Sequence, residues 1–309
     1  MHIIILNAGT GWHTAELCRA LAERGHGGQV LPYEGLTSRL GTGPRVTRGL
    51  SIAGTELLDA DAVLARIIPS GSLEQMIYRI DALHWLETHG VPVVNSARAI
   101  ERSVDKFYTT ALLQEAGLPT PETVVCEDAA AAMTAVLEMG DVIIKPIFGS
   151  MGHGMVRVSD PDIAFRVVRS LEQLRTVFYV QRVIDHGGRD IRVFVVGGRV
   201  LGAIERHAPT GQWRTNVSLG GAARPFDLPP AWAALALRAA AIVGADYAGV
   251  DLLPSADGTV FVLEVNGIPG WQGLTQATGV DVAGAVIDYV ADRVRTGARP
   301  ATDAAEMPA

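Results

Sequence analysis

The sequence predicts a mixed α/β (α+β) fold of several subdomains, and three observations along the chain support this class. The first 95 residues alternate short apolar runs with helical periodicities, which is typical of a parallel sheet covered by helices. A glycine-rich loop at residues 149–154 separates two strand-like segments. From Val177 onward, strand-like segments follow one another across short turns, as they do in antiparallel sheets. With 309 residues, the chain is long enough for two or three such units.

The first unit is predicted to span residues 1–95. Leu17 and Leu21 mark one face of a helix, and Ser72 with Gln75 has the spacing of a capping box at a second helix. In order, the patterns predict a strand at 3–6, a turn at 7–11, a helix ending near 25, a strand at 61–68, a helix from 72 to before 90, and a strand at 91–95. This alternation predicts a small lobe with a parallel sheet.

Two further units and a tail follow. The central unit, residues 96–176, is predicted to contain helices at 105–116, 128–139 and 162–174, with a β-hairpin between the last two that carries the glycine loop. The C-terminal unit, residues 177–297, is predicted to contain strands at 177–184, 191–196, 199–205, 249–253 and 260–266, and helices at 231–243 and 281–295. Residues 298–309 have no apolar period and are expected to be a disordered tail.

Composition excludes several classes of protein. The net charge of −7 leaves no basic stripe for a nucleic-acid backbone. Cys18 and Cys126 lie far apart, which argues against a disulfide framework or a structural zinc site. The N-terminus lacks a basic signal-peptide region, and no apolar run is long enough to cross a bilayer. We therefore expect a cytoplasmic protein with neither nucleic-acid nor membrane partners.

The chain contains only two lysines, Lys106 and Lys145, against 24 arginines. Lysine is a compact charge that reaches a phosphate in a crowded pocket more easily than the broad guanidinium does. Lys145 ends an apolar strand just before the glycine loop, which indicates a polyphosphate site. The order strand–loop–strand differs from the strand–loop–helix of Walker and Rossmann loops and is closer to the lid of protein kinases. The alternative is a hairpin loop without a ligand.

Two carboxylates are predicted to face each other on a C-terminal hairpin. If Asp257-Gly258 is a two-residue turn, Asp251 lies opposite Glu264, and Asn266 shares their face. Facing carboxylates destabilise a sheet unless a cation lies between them. Two carboxylates and an amide form an oxygen ligand set that suits Mg²⁺, with Mn²⁺ also possible. The alternative is an exposed polar face.

Basic residues near the paired strands are candidates for contacts with anionic substrates. Arg192, Arg206 and Arg214 lie in or beside these strands, and arginine forks suit phosphate and carboxylate groups. Gly220-Gly221 would allow a ligand to approach the backbone. No motif of a covalent nucleophile occurs. The turn at residues 7–11 is interpreted as a tight βα connection, with a dinucleotide site as the alternative.

These motifs occur in a single order along the chain: Ser103–Lys106, Lys145-Pro146 with the glycine loop, Asp190–Arg192, Arg214–Asn216 with Gly220-Gly221, Gly249–Asp251 and Glu264–Asn266. The order resembles that of the ATP-grasp ligases and, within them, the RimK-type α-L-glutamate ligases, over about residues 60–295. The resemblance implies an ATP-grasp fold with an N-terminal Rossmann-like α/β lobe. It also implies the cofactors ATP and Mg²⁺.

The resemblance implies a role for each matching residue. The ATP phosphates would be bound by Lys106 and Lys145 under a loop containing Gly149, Ser150, Gly152 and Gly154. The remainder of the nucleotide would contact Gln181, Arg182 and Val183 at an adenine hinge, Asp190 near the ribose, and Thr215 and Asn216. The metal would be held by Asp251, Glu264 and Asn266. Catalytic roles would fall to Arg192 and Arg214, and substrate contacts to Arg66, Arg206, Gly220 and Gly221.

The expected function is an ATP- and Mg²⁺-dependent carboxylate–amine ligase that forms an amide through an acyl phosphate. By resemblance, it adds L-glutamate to a carboxylate on a small molecule, such as a tetrahydromethanopterin- or methylofuran-like cofactor. The alternatives within the class are a ligase that modifies a protein C-terminus and one that acts on a carrier-protein-bound intermediate of lysine or arginine biosynthesis. Alternatives from other classes are a non-catalytic ATP-binding regulator and a dinucleotide-dependent oxidoreductase. The acceptor, the number of additions and a homo-oligomeric state are left open.

Overall fold

The computed structural model describes residues 1–41, 49–149, 152–215 and 221–297. The predicted tail and the candidate residues Ser150, Asn216 and Gly220 lie outside the described residues. The strands are β1 (His2–Leu6), β2 (Gly27–Leu31), β3 (Leu36–Arg39), β4 (Gly49–Ile52), β5 (Thr55–Glu56), β6 (Ala62–Ala65), β7 (Val93–Val94), β8 (Thr123–Cys126), β9 (Val142–Lys145), β10 (Val156–Val158), β11 (Phe178–Arg182), β12 (Arg189–Val196), β13 (Arg199–His207), β14 (Ala222–Pro225), β15 (Tyr247–Pro254) and β16 (Val260–Asn266). The helices are α1 (Trp12–Glu23), α2 (Leu73–Thr88), α3 (Ala97–Val104), α4 (Lys106–Glu115), α5 (Ala129–Met139), α6 (Pro161–Gln173), α7 (Pro230–Val243), α8 (Gln272–Thr278) and α9 (Val282–Thr296). Among the described residues, no helix has the length and apolarity that crossing a bilayer requires.

The N-terminal lobe contains the predicted parallel sheet, with strand order β2-β1-β6-β7. β1 is buried on both faces, because Ile3 and Ile5 belong to one apolar core and Ile4 and Leu6 to another. The capping box that begins α2 is confirmed, since Ser72 and Gln75 exchange both hydrogen bonds. A second, antiparallel sheet β3-β4-β5 was not predicted. Its strands are only two to four residues long, too short to show a clear alternation.

The central sheet has strand order β10-β9-β11-β8, and all of its pairs are antiparallel. Helices α5 and α6 cover one face, where residues such as Val142, Ile144 and Val180 form a core. The predicted hairpin β9–β10 around the glycine loop is confirmed. The sequence interpretation assigned β11 to the C-terminal unit, but its hydrogen bonds to β8 and β9 place it in the central sheet. We therefore propose that the boundary between the two units follows Arg182.

The C-terminal sheet has strand order β14-β13-β12-β15-β16 and is antiparallel throughout. One face packs against α7 through residues that include Val193, Val250 and Val265. On the opposite face, Phe194 and Tyr247 pack with α9, α8 and the N-terminal lobe in one continuous core. The two outer units are thus joined through a shared apolar interior.

The turn of the hairpin β15–β16 differs from the predicted one. The N–H of Ser255 donates to the carbonyl of Thr259 at 2.8 Å, which encloses the three residues 256–258. The prediction of a two-residue turn at Asp257-Gly258 is therefore wrong. The predicted turn would pair Ser255 with Val260, whereas Ser255 bonds Thr259. If nothing compensated for this difference, every pair of the hairpin would be shifted by one residue.

A bulge further along the same hairpin restores the predicted pairing. Leu252 pairs with Val262, whereas its neighbour Asp251 pairs with Glu264, so Leu263 has no partner on β15. The extra residue compensates for the odd loop. Asp251 and Glu264 therefore face each other as predicted, although the predicted turn was wrong. Leu263 is the bulged residue.

A buried ion pair joins α9 to the C-terminal sheet and to β7. The Asp246 carboxylate accepts hydrogen bonds from Arg293 and, at 2.6 Å, from the hydroxyl of Tyr289. Arg293 also donates to the carbonyl of Val93 at 3.3 Å. Burial raises the pKa of Asp246, although Arg293 and Tyr289 act to lower it. The pair fixes the last helix across both units.

Removal of Arg293 should destabilise the protein strongly. Arg293→Met leaves the Asp246 carboxylate buried without this cation, and we expect a loss on the order of 3–5 kcal/mol in the free energy of unfolding. Urea unfolding measures this loss. The double variant Asp246→Asn/Arg293→Met, which removes both charges, should be less destabilised than the single variant. Equal losses in the two variants would contradict a role for the buried charge.

Candidate functional site

Most of the candidate residues lie on the faces of two sheets opposite those that pack on α5, α6 and α7. In the central sheet, Lys145 and Gln181 point away from α5 and α6, whose core is formed by the alternate residues of β9 and β11. In the C-terminal sheet, Asp251 and Glu264 lie opposite the face that packs on α7. The field of Glu264 acts on Lys145, so the two faces meet at one site.

Asp251 lies at the centre of a charged network on the C-terminal sheet. Arg192, its partner across β12 and β15, donates from Nε to Oδ1 and from Nη2 to Oδ2, both at 2.7 Å. Arg206 lies within 3.0 Å of Oδ2. Burial acts to raise the pKa of Asp251, but the two guanidinium groups outweigh it and hold the pKa below its usual range. Asp251 therefore stays ionised although it is buried.

Arg206 connects Asp251 to a second buried carboxylate. It donates to both oxygens of Asp190, at 2.7 and 2.6 Å, and Thr215 donates to the same carboxylate at 2.6 Å. Burial opposes the charge of Arg206, but the two carboxylates raise its pKa. The predicted ribose contact of Asp190 and substrate contact of Arg206 would each require an existing partner to be released. In the described structure both groups position their neighbours.

Lys145 is a buried cation of the site whose charged form is disfavoured by its surroundings. It is 8% exposed, and its Nζ donates to Oε1 of Gln181 at 2.6 Å. Burial, together with the charge of Lys106, lowers its pKa to about 8, against the attraction of Glu264. The amide of Gln181 is in turn oriented by Thr123 and Tyr179, at 2.9 and 3.2 Å. Tyr179 was not singled out from the sequence, although it shares the face of Gln181 two residues away on β11.

Lys106 holds the first part of the glycine loop. Its Nζ donates to the carbonyls of Ile147 and Gly149, at 3.1 and 2.7 Å. Burial lowers its pKa, while Glu264 raises it. Gly152 and Gly154 both have φ near +74°, a conformation that side chains of L-residues rarely adopt. The two lysines and the loop are therefore brought together as predicted.

Polar groups of the predicted hinge residues Arg182 and Val183 form hydrogen bonds to neighbouring residues of the protein. The side chain of Arg182 pairs with Glu122 at 2.6 Å, and its N–H donates to the Glu122 carbonyl at 2.9 Å. The N–H of Val183 donates to the carbonyl of Asp141 at 2.9 Å. These contacts fix the segment at the end of β11. The adenine contacts of Gln181, Arg182 and Val183 remain a prediction.

Arg214 connects the C-terminal sheet to the strand after the glycine loop. Its Nη2 donates to the carbonyl of Met155 at 2.5 Å, and its guanidinium lies 4.9 Å from the centre of the Trp213 ring. Its Nε is buried and has no hydrogen-bond partner among the described residues. A buried N–H without a partner is costly, so Arg214 has a donor available for an anionic ligand. Gly221 immediately precedes β14.

Arg66 is not grouped with the other candidates. Its guanidinium donates to the hydroxyl of Tyr247 at 3.1 Å and to the carbonyl of Pro269 at 3.3 Å, and it lies 4.6 Å from the centre of the Trp271 ring. It is buried between the N-terminal lobe and the C-terminal sheet. If Arg66 contacts a substrate as predicted, this contact lies in a different part of the molecule from the two lysines and Asp251.

The donor set on the C-terminal hairpin fits a hard divalent cation. Within the part of the chain that the structure describes, the side-chain oxygens of Glu264 and Asn266 make no hydrogen bond, and both residues are only half-buried. Asp251, directly opposite, shares its oxygens with two guanidinium groups but has further lone pairs. No cluster of three or more His, Cys, Asp or Glu that could bind a metal occurs among the described residues, so the set depends on the amide of Asn266. Carboxylate and amide oxygens are ligands of Mg²⁺.

Comparisons with known families match both parts of the chain. The family model of the RimK-like ATP-grasp domain matches residues 103–290, and that of the RimK PreATP-grasp domain matches residues 1–100. The tetrahydromethanopterin:alpha-L-glutamate ligase of Methanosarcina acetivorans is 36% identical over 266 residues, which is 77% of this chain and 82% of that protein. A protein of Trichodesmium erythraeum named "probable alpha-L-glutamate ligase" is 33% identical over 301 residues, 96% of this chain and 98% of that protein.

Solved structures share the fold. The ATP-grasp ligase PsnB complexed with a minimal precursor has a TM-score of 0.75 and 24% identity, over 94% of this chain and 98% of that one. A RimK domain ATP-grasp protein from Sphaerobacter thermophilus has a TM-score of 0.72 and 25% identity, over 94% of this chain and 99% of that one. PsnB has also been solved with Mg and ADP, at a TM-score of 0.73 and 23% identity, over 95% of this chain and 98% of that one. The predicted ATP-grasp fold is confirmed.

Replacement of Lys145 should remove a pH-dependent cost of folding. Its folded pKa is about 8 against an ordinary value of 10.5, so between these values the unfolded chain binds more protons. The stability of the wild type relative to Lys145→Met should therefore rise with pH, by about 3 kcal/mol at most between pH 8 and 10.5. Urea unfolding at several pH values measures the difference. Arg166→Met, which replaces an exposed arginine on α6, should show no such trend.

Proposed function

Because the chain belongs to the RimK-like ATP-grasp family, we propose that it is an ATP- and Mg²⁺-dependent ligase that joins a carboxylate to an amine through an acyl phosphate. One observation carries this proposal. The charge of Glu264, which faces Asp251 across the hairpin, acts on two lysines, the buried Lys145 and the half-buried Lys106. Such a constellation binds a triphosphate and a divalent ion and contains no nucleophile of its own.

The reaction follows from the weakness of a carboxylate as an electrophile. The substrate carboxylate attacks the γ-phosphorus of ATP, ADP leaves, and a mixed anhydride remains. The amine nitrogen then attacks the acyl carbon, the bond between this carbon and the bridging oxygen breaks, and inorganic phosphate leaves with that oxygen while the nitrogen releases a proton to solvent. In both steps the protein has to orient the reactants and neutralise charge rather than form a covalent bond.

The two lysines bind the phosphates in this proposal. Lys145 is held by Gln181, so its ammonium is already oriented before nucleotide arrives. Lys106 bonds carbonyls of the glycine loop, and a phosphate would replace these neutral acceptors with a charged one. A bound phosphate would also stabilise the charged form of Lys145 and so raise its pKa, which burial lowers to about 8. Both cations are therefore suited to a polyanion.

The carboxylate hairpin and the arginines complete the proposed site. Asp251, Glu264 and Asn266 would hold Mg²⁺, which when bound supplies positive charge to the phosphate oxygens. Arg192 keeps Asp251 ionised and oriented through two hydrogen bonds. Arg214, with an unpartnered Nε beside the glycine-loop strand, would donate to the transferring phosphoryl group or to the acyl phosphate.

We propose L-glutamate as the amino acid and a small molecule with a carboxylate as the acceptor. The names of the similar ligases from Methanosarcina acetivorans and Trichodesmium erythraeum support glutamate. The first of these names supports a cofactor-like acceptor such as tetrahydromethanopterin. The test is a panel of acid–amine pairs with ATP and Mg²⁺, followed by ADP release and mass spectrometry of the products. A product heavier by one glutamate residue supports the proposal, and the absence of ADP release with every pair contradicts it.

Removal of the Glu264 charge should abolish turnover while the fold is kept. Glu264→Gln retains the shape of the side chain but weakens both the metal site and the field on the two lysines. We expect kcat to fall on the order of a hundredfold or more. ADP release measures the loss, and circular dichroism checks the fold. Glu138→Gln, the same change at an exposed position on α5, should leave kcat unchanged.

A further inference from the structure

A separate cleft of about 230 Å³ lies in the N-terminal lobe. It is lined by the loop that follows β1, the start of α1, and Arg66 and Ile67 after β6. β1 pairs with β2 on one side and with β6 on the other, so the cleft lies at the carboxyl ends of the strands where the strand order reverses. Ligands of open parallel sheets bind at such a position.

The walls of this cleft are fixed by a polar network. The side chain of Asn7 donates to the carbonyl of Gly9 at 2.5 Å and to the hydroxyl of Thr14 at 2.9 Å. It also accepts from the N–H of Ile67 at 3.2 Å, and the N–H of Ala8 donates to the Ile67 carbonyl at 2.9 Å. The two loops are therefore bonded to each other and to α1. These hydrogen bonds hold the walls of the cleft in a defined position.

Arg66 brings an uncompensated positive charge into the cleft. It is 3% exposed, and its acceptors are the neutral Tyr247 hydroxyl and the Pro269 carbonyl. No carboxylate pairs with it, and its Nε–H has no acceptor, within residues 1–41, 49–149, 152–215 and 221–297. A buried cation without an anion is unfavourable unless a ligand supplies the opposite charge.

Other groups around the cleft also favour an anion. α1 begins there with Gly11 as its N-cap, with no side-chain cap and no acidic residue in its first turn. The Nε2 atom of His13 accepts from the N–H of Trp271 at 3.0 Å, which leaves the proton, and therefore a donor, on Nδ1. Burial and the charge of Arg66 lower the pKa of His13 to about 4, so the imidazole is neutral. The net charge around the cleft is thus that of a single guanidinium.

We propose that this cleft binds a carboxylate of the acceptor, one that anchors the molecule and does not react. A single negative charge matches the single uncompensated cation, and the edge of a guanidinium fits the two oxygens of a carboxylate. The volume lies below the range of pockets that enclose a whole drug-sized ligand, so the cleft suits one end of a longer molecule. This inference rests on the proposed ligase function.

The position of the cleft indicates which substrate it serves. Arg66 bonds Tyr247, and Asp251 lies four residues further along β15 on the same face, about 13 Å away at the usual rise of a strand. Pro269 lies between them, since it bonds Arg66 and packs against Gly249. Glutamate is too short to be anchored at Arg66 and react beside Asp251. The acceptor therefore carries the anchoring carboxylate.

Two variants of Gly9 test the proposal without disturbing the walls. A Cβ at Gly9 would have no atom within 4 Å, and its φ lies outside the left-handed region. Gly9→Asp adds a carboxylate at the cleft and should repel an anion, whereas Gly9→Asn adds the same shape without charge. Unchanged melting temperatures of both variants confirm that the fold is kept. Calorimetric titrations of the full chain use glutarate, a longer dicarboxylate, inorganic phosphate and NADH as probes.

The expected result is saturable binding of a carboxylate probe that Gly9→Asp weakens at least about tenfold and Gly9→Asn changes by less than about threefold. With an active acid–amine pair, Gly9→Asp should raise the KM of the acceptor by a similar factor and leave kcat and the KM of ATP unchanged. Equal effects of both variants, tighter binding of phosphate or NADH, or a rise in the KM of glutamate instead would overturn the proposal. Without any ligase activity the proposed function fails, and the titrations alone decide whether the cleft binds a carboxylate.

Discussion

The buried carboxylate of Asp251, held by Arg192 and Arg206, is the interaction on which the site depends. Asp251 faces Glu264 across β15 and β16, and two facing carboxylates would repel each other without cations. The guanidinium groups supply these cations from β12 and β13, the next strands of the same sheet. They neutralise Asp251 and leave the charge of Glu264 to act on Lys106 and Lys145. Asp251 thus stabilises the sheet through its ion pairs, whereas the charge of Glu264 remains available for ligand binding.

Lys145, the lysine of the central sheet, shows the opposite balance between burial and ion pairing. Burial lowers the pKa of Lys145 to about 8, and no carboxylate forms a direct ion pair with it in the described residues. The ammonium is therefore held at a cost to the stability of the free protein. That cost is offset when a polyanion binds, because the same burial strengthens the attraction to phosphate. Arginine, with its broader fork, would not occupy the position beside Gln181 in the same way.

The sequence predicted the parallel lobe, the β9–β10 hairpin and the facing of Asp251 and Glu264, because each depends on local pattern. The predicted turn was wrong, and the facing survived only because the bulge at Leu263 compensates for the longer loop. The guanidinium network could not be predicted, since it depends on which strands become neighbours. The prediction that β11 belongs to the C-terminal unit was wrong for the same reason, because the apolar pattern of a strand does not identify the strands it pairs with. The cleft at Arg66 combines residues separated by some 60 positions, and its first loop alone indicated only a tight turn.

One face of β15 serves both packing and chemistry, and Gly249 marks the change. Before it, Tyr247 packs with Phe194 and Trp271 against the N-terminal lobe. After it, the same face carries Asp251. A Cβ at Gly249 would lie 3.0 Å from Cβ of Pro269, closer than ordinary van der Waals contact, so a larger residue would require Pro269 to shift slightly. Because the lobe is bonded to the backbone of Tyr247 by Asn95, and to its hydroxyl by Arg66, the distance between cleft and charged network is set by a single strand. A substrate that spans the two is therefore selected by length as well as by charge.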